Sequence, residues 1–96
     1  MSEKRDAYVE KFKAQLDQLN AKFDSLEAKA NEAKADTKIK YQDELQKIRK
    51  KREAAVSRLE DLRSASGEAW QDLKDGCEQS WNAFSDSVNA AVDRFK

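Results

Sequence analysis

The chain has 96 residues, with 19 Lys and Arg against 19 Asp and Glu, no His, no Pro, two Gly and one Cys, and a mean hydropathy of −1.02. That length holds at most one small domain, and so few Gly and Pro leave long helices as the expected answer, since turns draw mainly on Gly, Pro, Asn and Asp. Without His the common acid–base and zinc arrangements lose their usual member, and no Gly-rich phosphate loop is present, so no catalytic residue, cofactor, metal or small-molecule substrate is expected.

Ser2-Glu3-Lys4-Arg5-Asp6 reads as a helix start, with Ser2 as the cap and acidic residues in the first turn. Val9, Phe12, Leu16, Leu19, Phe23, Leu26, Ala30 and Ala33 then follow at alternating steps of three and four. This is a heptad seam with Val9 at a and Phe12 at d. Pairs on the charged face, such as Lys13 with Asp17, contribute only about 0.2–0.5 kcal/mol each. The seam, not side-chain pairing, therefore supports the helix.

The seam thins at Ala30, Ala33 and Thr37, where each methylene missing relative to Leu forgoes about 0.8 kcal/mol. Tyr41 and Leu45 follow at steps of four, which reads as a stutter that locally unwinds a left-handed supercoil. The heptad resumes through Leu45, Ile48, Arg52, Ala55, Leu59 and Leu62. Arg52 reads as a long stem lying across the seam with its head in water, or as a polar residue that sets register. The patch of Lys47, Arg49, Lys50, Lys51 and Arg52 reads as a solvated helix face. No groove-reading motif follows it, so nucleic acid is not an expected partner.

From Ser57 the spacing becomes an eleven-residue repeat, with units starting at Ser57, Glu68, Gln79 and Ala90. Large apolar residues take the third and sixth places: Leu59 and Leu62, Trp70 and Leu73, Trp81 and Phe84, then Val92 and Phe95. Ser66, Cys77 and Val88 take the tenth. Eleven residues suit three helical turns and a nearly straight or slightly right-handed winding. The stripe crosses Ser64-Ala65-Ser66-Gly67 in phase, which favours one helix weakened near Gly67 by about 1 kcal/mol relative to Ala. The same two serines and glycine mark the place where a hairpin would bend. Cys77 falls on the stripe and reads as a small buried residue. Trp70 and Trp81 read as core, and as candidates for an interfacial helix. Residues 68–96 hold only Lys74, Arg94 and Lys96 as cations, too few for a typical membrane-surface helix.

Residues 1–63 carry a net charge of +3 and residues 64–96 a net charge of −3. In an antiparallel pair of chains the basic middle would therefore lie beside the acidic tail. No apolar segment follows Met1, which reads as the absence of a signal peptide, and a lone Cys suits a reducing compartment. The expected location is the cytoplasm.

Ala65-Ser-Gly-Glu-Ala-Trp-Gln-Asp-Leu-Lys-Asp-Gly76, followed by Ser80-Trp81-Asn-Ala-Phe84, resembles the tail of small bacterial coiled-coil proteins described as stress-response proteins, frequent in cyanobacteria and other Gram-negative bacteria. The preceding helix, with Ala-Lys-Ala-Asp-Thr-Lys-Ile-Lys-Tyr over residues 33–41, is similar in character. The resemblance implies a non-catalytic helical protein with a stress association, and it transfers no catalytic or binding residues.

The expected architecture is all-α, a single domain over residues 1–96. One long amphipathic helix forms an oligomeric coiled coil, with heptads over about 3–62 and the eleven-residue repeat over about 57–96. The alternative is a helical hairpin bending near Ser64–Gly67. The self-association stripe comprises Val9, Phe12, Leu16, Leu19, Phe23, Leu26, Leu45, Ile48, Leu59, Leu62, Trp70, Leu73, Cys77, Trp81, Phe84, Val88 and Phe95. The expected function is that of a structural or interaction protein acting through a homo-oligomer. A second reading is an amphipathic helix that binds membrane surfaces or shields other proteins under stress.

Overall fold

A computed structural model describes residues 3–95, so the expected cap Ser2 and the terminal Lys96 lie outside the described residues. The described residues form three helices: α1 (Glu3–Asn31), α2 (Ala35–Ser64) and α3 (Ala69–Arg94). Each helix begins acidic and ends basic, with Glu3 and Asp6, Asp36, and Asp72 in the first turns and Lys29, Arg63 and Arg94 in the last. Those charges oppose the helix dipole, worth about 0.3–1 kcal/mol at each end. α1 and α3 run parallel, as Tyr8 meets Trp70 at one end and Tyr41 of α2 meets Phe95 at the other. The bundle measures 52 × 17 × 17 Å, close to the length of one thirty-residue helix, about 45 Å.

The expected single rod is thus replaced by three helices packed on one another. The change at residues 30–41 that reads as a stutter is a chain reversal at Glu32–Lys34, and the serine- and glycine-bearing stretch is a second reversal at Ala65–Glu68. The physical reason is burial. A lone rod has no interior, whereas two short turns let one chain cover its own stripe without the loss of translational freedom that binding another chain entails. The expected passage from left-handed to straight winding along one rod falls with the rod. The middle and the tail do lie antiparallel, but within the chain, and their contacts are not the expected ones: Lys51 donates to the neutral Ser87 at 2.7 Å, and the ion pair joins Arg94 of the tail to Glu44.

One core runs the length of the bundle. Fifteen of the stripe residues are buried in it, from Val9 to Phe95, while Leu73 and Trp81 are half-buried against it. Ala30, Ala55 and Ala91 are fully covered, where small side chains let helices approach. The last repeat unit departs from the eleven-residue spacing: Ala91 is buried and Val92 is 36% exposed, so α3 ends on heptad steps through Phe84, Val88, Ala91 and Phe95. Arg52 lies 5.0 Å from the Phe23 ring centre and Arg49 lies 5.7 Å from it, so two guanidiniums of α2 roof that ring.

Phe23 is fully buried and Ile39 is 64% exposed. Phe23→Ala should therefore cost about 3–5 kcal/mol, and Ile39→Ala should stay within about 0.5 kcal/mol. Urea denaturation of both variants, followed by circular dichroism, checks the contrast.

Candidate interaction surface

Two features stand apart from the core: a seam between α1 and α3, and a knot of polar contacts at the bundle end where α1 starts. The knot begins with Arg5, which occupies a seam position one heptad step before Phe12 and is only 8% exposed. Its guanidinium donates to the carbonyl of Ala65 at 2.5 Å and pairs with Asp6 at 3.1 Å. Ala65 ends α2 in an extended conformation, so its carbonyl has left the helix ladder, and Arg5 supplies the missing donor. Gly67 then turns the chain with φ of +61°, a conformation that costs an L side chain about 1–2 kcal/mol.

Next to this closure Tyr8 stacks on Phe12 at 6.2 Å and tilts against Trp70 at 6.4 Å. Its hydroxyl donates to Glu78 at 3.1 Å, and the Lys74 ammonium sits 5.2 Å from its ring centre. Burial, followed by the hydrogen bond to the Glu78 carboxylate and its charge, pushes the Tyr8 phenol well above its ordinary value of 10.0. Cys77 is fully buried; its thiol donates to the Arg58 carbonyl at 3.2 Å, and desolvation pushes its pKa up from 9.0. A thiol held protonated in this way is a poor nucleophile.

The seam opens below the knot. Tyr8, Lys11, Phe12, Glu78 and Trp81 line a cavity of about 230 Å³. Further along, Lys22, Ser25, Leu26, Lys29, Asn89 and Val92 line a second of about 350 Å³. Leu26 and Val92 form its apolar floor, and no carboxylate lines it. The Trp81 indole N–H is buried and has no hydrogen-bond partner among the described residues, a condition that costs about 1–3 kcal/mol.

The lysine rim follows from how charge is sorted around α1. The columns on the α3 side of its seam carry Lys4, Tyr8, Lys11, Gln15, Gln18, Lys22, Ser25 and Lys29. Those turned toward α2 carry Glu3, Asp6, Glu10, Asp17, Asp24 and Glu27, with Lys13 the exception. Glu27 identifies that side by its 3.2 Å ion pair with Arg49 of α2. Reading for apolar stripes finds the core and passes over Arg5, Tyr8 and this lysine column. The column was visible as Lys at heptad-related positions, but not the helix it would face.

The basic patch of α2 is divided: Arg49 and Arg52 are half-buried and pack, whereas Lys47, Lys50 and Lys51 are exposed, as expected of a solvated helix face. Arg49 pairs with Glu27 and roofs Phe23, Arg52 roofs the same ring, and Lys51 bonds Ser87. Among the described residues no group of His, Cys, Asp and Glu is arranged to hold a metal ion, and no helix is long and apolar enough to cross a membrane. No family model, curated protein or solved structure compared with the chain matches it.

Because folding favours the protonated Tyr8 phenol, the stability it contributes is complete below pH 10 and is lost as pH rises beyond that. Tyr8→Phe should flatten the alkaline fall in stability. Denaturation midpoints of both proteins from about pH 8 to about pH 11 check this.

Proposed function

We propose that this chain is a non-catalytic interaction protein that receives an acidic amphipathic helix of a partner protein in the α1–α3 seam. The observation that supports this reading is the second cavity, where Leu26 and Val92 offer an apolar floor between Lys22 and Lys29. A helix laid along the seam would insert one large apolar side chain there and set its flanking carboxylates against the lysines, completing a fourth helix of the bundle. Helix-in-groove recognition works in this way, with apolar anchors at i, i+3, i+4 and i+7. Opposite charges across such a rim steer encounter and orientation more than they add affinity.

The role remains the one expected from composition, a helical interaction protein, but its surface differs. The apolar stripe is occupied within the chain, so partners would meet the seam. The stress association implied by the resemblance fits this reading, as amphipathic segments are what unfolding proteins expose.

Trp81 lines the first cavity of the same seam and serves as the reporter. A synthetic amphipathic peptide with Glu flanks should shift tryptophan emission on binding, and the same peptide with Lys flanks should not. Lys22→Glu with Lys29→Glu should weaken the acidic peptide by about tenfold or more. Equal binding of both peptides, or of neither, would defeat the reading. An emission shift with anionic vesicles but not with the peptide would favour the membrane-surface reading.

A further inference from the structure

The two turns of the bundle are built differently, and the difference carries a consequence. The Ala65–Glu68 turn is locked: Gly67 adopts a left-handed φ of +61°, and buried Arg5 holds the Ala65 carbonyl at 2.5 Å. The Glu32–Lys34 turn has neither device. Its residues are Glu32, Ala33 and Lys34, followed by Ala35, all strong helix formers. Lys34 nevertheless sits in an extended conformation with φ of −65° and ψ of 157°, and no side chain caps the start of α2. The side-chain bond from Gln42 to Asn31 across this turn is exposed and long, at 3.4 Å. Local preference and global fold disagree here, which is the mark of a segment with a competing state.

We propose that two copies of this chain associate by exchanging α1, the Glu32–Lys34 turn straightening so that α1 and α2 become one helix. Every α1 contact would then be remade on the α2 and α3 of the partner copy, so the core would be the same in both states. The difference lies at the turn. In the straight form the N–H groups of residues 34–37 regain carbonyl partners four residues back, which the turn denies them.

The stripe permits this geometry. Leu26, Ala30, Ala33, Thr37, Tyr41 and Leu45 advance at helical steps of three and four straight through the turn. In the single bundle Thr37 is exposed, and Ala33 and Tyr41 are only half-buried, so this part of the stripe is incompletely covered. The α1–α2 pairs Glu27–Arg49, Phe23–Arg52 and Asn31–Gln42 have sequence midpoints between residues 36 and 38. In the exchanged dimer the same register places the two-fold axis there. Residues 33–41 of the two copies would then cross antiparallel, covering Ala33, Thr37 and Tyr41. Exchange of an identical element is a low-cost route to a dimer, and short hinges out of keeping with their sequence invite it. The inference does not depend on the seam reading, because it is argued from the Glu32–Lys34 turn and the α1–α2 register, and the exchanged dimer would rebuild the same seam between copies.

The test uses the full chain refolded at high concentration. Light scattering should find a dimer beside the monomer, and small-angle scattering should give it a length of about 100 Å, from one helix of residues 3–64 at about 1.5 Å per residue laid against its two-fold mate. Glu27→Cys with Arg49→Cys, in a Cys77→Ser background, reports the connection through a short bis-maleimide. In the closed monomer the link forms within a chain, and in the exchanged dimer it joins two chains on a denaturing gel. Ala33→Gly with Lys34→Gly penalises the straight helix twice per dimer and should raise the dimer dissociation constant by roughly a hundredfold. Asn31→Ala should lower it. A wild-type chain that remains monomeric, a dimer linked only within chains, or a dimer fraction indifferent to the glycines and to Asn31→Ala would each overturn the proposal.

Discussion

All three helices converge on the ring of Phe23. It belongs to α1, meets Phe84 of α3 edge-on at 6.5 Å, and lies beneath the Arg49 and Arg52 guanidiniums of α2. No water reaches it. The interaction is apolar toward α3 and cationic toward α2, and a guanidinium over an aromatic face is worth about 0.5–2 kcal/mol depending on how far it is desolvated. This arrangement also explains how a bundle only 17 Å thick carries charged residues so near its core. The arginine stems add apolar cover while their heads keep partners at the surface, Glu27 for Arg49 among them.

Closure of the bundle depends on a different kind of interaction at each end. Where α1 starts, a buried arginine completes the hydrogen bonding of a broken helix end, and tyrosine, tryptophan and glutamate pack around it. Where α1 ends, Tyr41 stacks on Phe95 at 3.8 Å and ties α2 to α3, but the turn between α1 and α2 has no comparable lock. One end is closed by polar bonds that demand a particular geometry. The other is closed by apolar contact, which is non-directional and can be made by any chain that brings the same surfaces. That asymmetry is the basis of the proposed exchange of α1 between copies.

The outer surface is organised by the sorting of charge around α1. Acidic columns face α2, where Arg49 pairs with Glu27, and the lysine column faces the α3 seam, where Glu78 lies beside Lys11 in the first cavity but only Asn89 and Val92 of α3 line the second beside Lys22 and Lys29. The second cavity of the seam is therefore a place where two lysines stand beside apolar atoms with no carboxylate among the residues lining it. Recognition through such a surface needs shape and charge from the other molecule rather than reactive groups from this one.

The pattern of apolar residues was enough to establish helix as the secondary structure and to identify which face of each segment is buried, since a stripe recurring every three or four residues can be covered only along one side of a helix. The apolar seam residues from Val9 to Leu26 and from Leu45 to Leu62 lie inside as their spacing indicates, as do Trp70, Cys77, Phe84, Val88 and Phe95, whereas Leu73 and Trp81 are half-buried and Val92 is exposed. The pattern could not decide where the chain reverses. A stripe that stays in phase reads the same whether the next segment continues or folds back, and Glu32-Ala33-Lys34 contains no turn-forming residue at all. Arg5 was equally hidden, because its partner is a main-chain carbonyl sixty residues away. Tertiary structure alone made those decisions, for a reason of energy rather than propensity: the chain gains more by covering its own stripe than its local sequence loses by bending.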